Sequence, residues 1–232
     1  MTELVFEAAP VTTVPTTDGQ LFPVRRIFCV GKNYADHVRE MGNDPADTPP
    51  VFFTKPADAI VCPTAMDPYV DYPPETHDLH YEGELVLALS SGGRDIPLAH
   101  TMRCLYGVAL GSDQTRRDIQ AIAREKRGPW DLAKGFDQSA VMGTIKPSHT
   151  LDEEMSFRLS VNGEEKQRGV VRNMIFSPAD IISLLSRQVE LKAGDLVYSG
   201  TPEGVGRINP GDKVSLRGDG LPDLDFMMRG RL

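Results

Sequence analysis

Apolar positions in this chain recur at two spacings, and the alternating one dominates. In Glu82-Gly83-Glu84-Leu85-Val86-Leu87-Ala88-Leu89 side chains two apart share a face, so Leu85, Leu87 and Leu89 line one side of a strand. Glu82, Glu84, Val86 and Ala88 line the other. Residues 26–30, 51–54, 59–61, 105–111, 157–161, 165–168, 195–199 and 212–216 read as further strands, and Asn162-Gly163 between two of them is a hairpin signal. Helical spacing appears three times. Tyr34, Val38 and Met41 stripe a helix over 33–41 with Asn33 as its N-cap. Ile119, Ile122 and Ala123 give a buried face to a helix opened by Thr115 and Asp118 as a capping box. Ser177 caps a third helix, with Pro178 at its first position and Ile181, Leu184, Leu185 and Val189 packing it. Many short strands, three helices and no βαβ alternation predict a β-rich α+β architecture. Residues 1–22, rich in Thr and Pro, read as an N-terminal arm or short edge strand ahead of one domain over 23–232.

The polar end of the central strand carries the first candidate chemistry. Glu82 and Glu84 project in parallel, about 7 Å apart, from a strand that is otherwise apolar. Burying them together costs repulsion and desolvation unless positive charge lies between them. A hard divalent cation removes both costs; the competing reading is a solvated strand end with two surface glutamates. Asp113, at the end of the 105–111 strand, is a third carboxylate, or simply a helix-entry aspartate. Thr115, Arg116, Arg117, Asp118 and Gln120 surround it with groups suited to holding a carboxylate. Lys134 stands as a lone cation among small and apolar residues, or as a surface lysine. Asn33, His37 and Glu40 form a polar stripe on the first helix, where His and Glu at i, i+3 can share a proton. That helix, with a glycine at each side and a Pro-rich run after it, predicts a lid over about 33–50. The glycines of 200–206 lack a following Lys-Ser/Thr, so they make no Walker-type phosphate loop.

Composition narrows the partners. The 25 basic and 33 acidic residues give a net charge of −8, which argues against nucleic acid or an anionic membrane. Three scattered cysteines, Cys29, Cys62 and Cys104, fit a reducing compartment. With no basic-then-apolar N-terminus and no run near the ~20 apolar residues of a membrane span, the chain reads as soluble and cytoplasmic.

Five segments occur in order: Gly31-Lys32-Asn33-Tyr34-Ala35-Asp36-His37, Glu82-Gly83-Glu84, Asp113-Gln114-Thr115-Arg116-Arg117-Asp118, Leu132-Ala133-Lys134-Gly135-Phe136 and Ser199-Gly200-Thr201-Pro202-Glu203-Gly204-Val205-Gly206. Together they resemble the signature segments of the fumarylacetoacetate hydrolase superfamily. Phe22-Pro23-Val24-Arg25-Arg26 and Phe52-Phe53-Thr54-Lys55-Pro56-Ala57-Asp58 bring the chain nearest to its fumarylpyruvate and acylpyruvate hydrolase branch. The resemblance implies a mixed β-sandwich roll of the family's C-terminal type. It implies Mg²⁺ (or Mn²⁺) on Glu82, Glu84 and Asp113, water activation by His37 and Glu40, and an anion-stabilising Lys134. It also implies that Arg117, Gln120 and Thr201 contact the substrate. Lys32 and Arg116 depart from the common pattern without touching the metal residues. The implied activity is hydrolysis of a C–C bond in an acylpyruvate, fumarylpyruvate to fumarate and pyruvate in aromatic-compound catabolism, by a homodimer acting on a small 2-keto acid. Oxaloacetate decarboxylase, 2-keto diacid tautomerase or isomerase, and a non-catalytic metal-stabilised binding protein are the alternatives.

Overall fold

The computed structural model describes residues 4–42, 44 and 49–230. The largest sheet is mixed, in the order β4 (Val51–Lys55), β3 (Arg26–Gly31), β15 (Asp195–Tyr198), β8 (Gly83–Leu89), β9 (Leu105–Asp113), β11 (Ala140–Met142) and β5 (Ile60–Val61). β12 (Lys146–Pro147) also joins β9. A second sheet orders β14 (Glu164–Val170), β13 (Ser156–Val161), β17 (Lys213–Gly218), β18 (Leu224–Arg229) and β6 (Tyr69–Asp71). β10 (Thr115–Arg116), β7 (Leu79–Tyr81) and β16 (Gly206–Arg207) make a small third sheet, and β1 (Thr13–Pro15) pairs β2 (Leu21–Pro23). Among the described residues four α-helices accompany them: α1 (Ala35–Glu40), α2 (Arg117–Glu125), α3 (Asp131–Lys134) and α4 (Pro178–Gln188). The β-rich α+β class read from the sequence is the class of the fold.

Central β8 is buried on both faces, which is why its residues alternate between two cores. Leu85, Leu87 and Leu89 pack with Phe157, Leu159, Leu216 and Phe226 of the second sheet and Ile181 and Leu185 of α4. Val86 and Ala88 pack in the other core with Ala109, Met142, Tyr198, Val14 and Phe22. Val14 and Phe22 belong to β1 and β2, so residues 13–23 cover that second face, while residues 4–11 lie exposed. Asn162 (φ 53°) and Gly163 (φ 84°) turn β13 into β14 in the left-handed conformation that their pairing signalled. Ser177 caps α4 in a full capping box with Asp180.

Other local readings shift. Asn33 is not a helix cap: α1 begins after Tyr34, without a side-chain cap. Thr115 and Arg116 are drawn into β10, so α2 starts at Arg117 with no capping box. Of the face expected to be buried on α2, Ile122 is exposed, whereas Gln120 is the buried residue. Short α3 and β6 carry too little periodicity to show in the sequence. Of the lid expected over 33–50, residues 43 and 45–48 lie outside the described residues.

Candidate metal centre and active site

Pairing of β8 with β9 builds the centre. Gly83 lies opposite Ser112 and Glu84 opposite Gly111, so Asp113 arrives beside Glu82, its N–H donating to the Glu82 carbonyl at 2.8 Å. The close approach requires Gly111: a Cβ there would sit 2.6 Å from Val86 Cγ2. Glu82, Glu84 and Asp113 are all buried, and one carboxylate oxygen of each lies within 4.8 Å of the others.

Three cations surround these carboxylates. Lys134, delivered by α3, places Nζ 2.6 Å from Glu82 Oε2 and 2.8 Å from Asp113 Oδ2. Arg117, first residue of α2, pairs with Glu82 Oε1. Lys55, last residue of β4, is fully buried and places Nζ 2.8 Å from Asp113 Oδ1. It also donates to the carbonyls of Gln114 and Lys134. Burial would raise the Glu82 carboxyl, yet Lys134 and Arg117 outweigh it and hold the group well below the ordinary range. Glu84 is the reverse. Burial, Asp113 and Glu82 push its carboxyl up, and the N–H of Gly200 at 2.7 Å is its hydrogen-bond donor.

Two observations fit a cation to this set. Glu84 has no ion-pair partner among the described residues, and buried Asp113 Oδ1, although ion-paired with Lys55, accepts no hydrogen bond of proper geometry. Oxygen donors alone, all carboxylate, suit a hard divalent ion. Glu82, Glu84 and Asp113 form a divalent-metal site.

His37 and Glu40 lie across the same cavity. His37 Nδ1 is 3.1 Å from Glu40 Oε2, and the N–H of Gly204 approaches both Glu40 oxygens at 3.3 Å. Asn33, buried at the entrance to α1, donates to the carbonyls of Phe176 (3.0 Å) and Ser199 (2.8 Å) and accepts from the N–H of Phe176 (2.7 Å). The chain before α1 is thereby tied to the loop after β15. Gly200, at φ +100° and with no room for a Cβ, which would sit 2.6 Å from Asn33 Cβ, keeps that junction tight.

The cavity, about 480 Å³ including its open mouth, is lined by His37, Glu82, Glu84, Asp113, Arg117, Gln120, Lys134 and Thr201. Glu40 reaches the cavity through His37, whereas Asn33, Thr115, Arg116 and Asp118, also singled out from the sequence, do not line it. Gln120 accepts from Arg117 at 2.6 Å, leaving its amide N–H groups for a ligand. The Thr201 hydroxyl is committed to the scaffold, donating to the Gly83 carbonyl and accepting from Gln167. Sequence reasoning missed Lys55, which falls past the end of the strand read over 51–54, just before Pro56. It also missed buried Gln167, whose amide holds Gly83, Thr201 and Pro202 together. For Gln167 no local sequence signal exists.

Residues 26–228 match the family described as fumarylacetoacetate (FAA) hydrolase C-terminal. The chain belongs to the fumarylacetoacetate hydrolase family, and its fold and carboxylate centre are those of a metal-dependent enzyme of that family. A crystal structure of fumarylpyruvate hydrolase from Pseudomonas aeruginosa, in complex with Mn²⁺ and pyruvate, superposes with a TM-score of 0.96 at 42% identity, covering 99% of this chain and 100% of that one. The fumarylpyruvate hydrolase of Ralstonia sp is 40% identical over 176 residues, 75% of this chain and 90% of the relative. The mitochondrial oxaloacetate tautomerase FAHD1 of Mus musculus is 38% identical over 210 residues, 88% of this chain and 92% of the relative. Among the described residues no helix is long and apolar enough to cross a membrane.

Proposed function

We propose that this protein hydrolyses the C–C bond of an acylpyruvate, with fumarylpyruvate as substrate and fumarate and pyruvate as products, in the cytoplasm. The observation that carries this reading is the His37–Glu40 pair facing the three-carboxylate centre across one cavity, a base and an anion-stabilising site together. The bound cation, Mg²⁺ or Mn²⁺, supplies positive charge against the negative charge that develops on the 2-keto acid end.

The protein's own groups divide the remaining work. His37 takes a proton from water, and Glu40 on Nδ1 orients the ring and balances the charge it gains. The hydroxyl oxygen adds to the distal carbonyl carbon. The C–C bond then breaks, its electron pair leaving on the pyruvyl methylene carbon. That carbon takes up a proton to become the methyl group of pyruvate, and the acyl fragment departs as a carboxylate. Lys134 spends two of its three N–H donors on Glu82 and Asp113, so the third is available to the oxyanion. Gln120 offers its amide beside it. α1, which carries His37 and Glu40, acts as a lid that excludes bulk water once substrate is in place.

The tautomerase relative supports a second reading, in which His37 takes a methylene proton of oxaloacetate instead of a proton of water. One set of assays separates the two. Loss of the ultraviolet absorbance of fumarylpyruvate with stoichiometric pyruvate is expected. Keto–enol exchange or carbon dioxide release from oxaloacetate, with fumarylpyruvate untouched, would overturn hydrolysis.

A further inference from the structure

On α2, Arg117, Gln120 and Arg124 fall at i, i+3 and i+7, so they share one face, and all three line the cavity. Arg117 is held by Glu82 and Gln120 next to the metal residues. Arg124 is different. It lies in the last turn of the helix, seven residues and about 10 Å further from the centre, and its side chain has no hydrogen bond or ion pair with any described residue. An unpaired guanidinium at the outer wall of an anion-binding cavity is a receptor for a second anionic group.

Between centre and rim the wall is aromatic. Phe53 and Trp130 both line the cavity and pack edge-to-face with centroids 6.0 Å apart. A flat conjugated segment suits such a wall better than a branched aliphatic one. The carboxylate carbons of fumarylpyruvate are separated by six bonds, about 7 Å at ~1.2 Å per bond of extended chain. With its 2-keto acid end at the carboxylate centre, its far carboxylate falls within reach of the Arg124 side chain. The two carboxylates of oxaloacetate are separated by three bonds, about 4 Å, too short to engage both ends.

We infer that Arg124 is the specificity residue for a distal carboxylate, selecting acylpyruvates whose acyl tail ends in an acid over those with a neutral tail. This rests on the acylpyruvate reading above and names the substrate class within it. The test compares fumarylpyruvate, which carries the far carboxylate, with acetylpyruvate, which lacks it, using the full chain with Mg²⁺. Arg124→Gln should lower kcat/KM for fumarylpyruvate about tenfold more than for acetylpyruvate, the lower end of the worth of a charge-assisted hydrogen bond. The loss should appear in KM, and Arg124→Lys should restore part of it. An unchanged ratio between the two substrates, or an equal loss on both, would overturn the assignment. A wild-type enzyme that hydrolyses neither substrate would instead overturn the hydrolase reading and this assignment with it.

Discussion

The two walls of the cavity are built differently. The carboxylate wall stands on β8 and β9, long central strands whose side chains fill both cores, and its charges are interlocked by three buried or half-buried cations. The histidine wall stands on α1, a six-residue helix without a side-chain cap, anchored by buried Tyr34 and Val38, by Asn33 at its entrance and by a pair of long contacts from Gly204 to Glu40. The proposed binding and charge-stabilising groups thus rest on strands buried in both cores. In the proposed mechanism proton transfer falls instead to a short helix at the edge of the cavity, as in enzymes whose lids carry a catalytic group. Damage to one wall should leave the other working.

Glu84→Ala should show the largest effect. Activity should vanish, and so should the rise in Tm that Mg²⁺ gives the wild type, a rise worth about 2.7 kcal/mol when the ion is at 100 times its Kd. The metal-free variant should melt no lower than metal-free wild type, because a repelled, desolvated carboxyl has been removed. Normal turnover by this variant at limiting Mg²⁺ would sink the metal assignment. His37→Ala should lower kcat by about 10²–10⁴ while keeping the full Mg²⁺-induced rise in Tm; a variant that loses both would erase the proposed division between the walls.

Asn33→Ala sharpens the comparison from the hinge side. It strands the buried carbonyls of Phe176 and Ser199, at about 1–3 kcal/mol each, so Tm and kcat should fall together. Mg²⁺ affinity, measured by titration calorimetry, should stay near wild type. Asp118→Asn is the smallest change. Burial raises the Asp118 carboxyl, but hydrogen bonds from His77 N, Thr76 Oγ1 and Ile119 N outweigh it and leave the folded pKa below its ordinary value. Its stabilisation is present above the unfolded carboxylate pKa, about 3.9, and is lost as pH falls through the folded value. The Tm gap between wild type and variant should therefore be open at pH 7 and close in acid. A gap independent of pH would refute that account.

How much of this the sequence disclosed depended on the range of the interactions. The alternation in β8 showed both its apolar faces and the parallel Glu82 and Glu84, because a strand imposes its period locally. Ser177-Pro178 and Asn162-Gly163 act over a few residues and were equally legible. Asn33 looked like a cap because the same amide that caps helices also bridges loops, and its partners lie 143 and 166 residues away. Lys55 fell outside the strand read over 51–54; only β4 pairing with β3 brings it under Asp113. On α2 the apolar stripe pointed to a buried face, but Arg117 and Gln120 turn the polar stripe inward toward the cavity, so Ile122 stays outside.

One consequence of the knot around Asp113 concerns electroneutrality. Glu82, Glu84 and Asp113 face Lys55, Lys134 and Arg117, three acids against three bases. Admitting a doubly charged cation leaves the pocket with surplus positive charge behind walls such as Val30 and Phe53. That surplus invites an anion, and each guest must raise the affinity of the other by the same factor. The centre then behaves as a coincidence detector, weakly held by either guest and firmly by both. Titrating Mg²⁺ with and without pyruvate, then pyruvate with and without Mg²⁺, reads that one factor from its two sides.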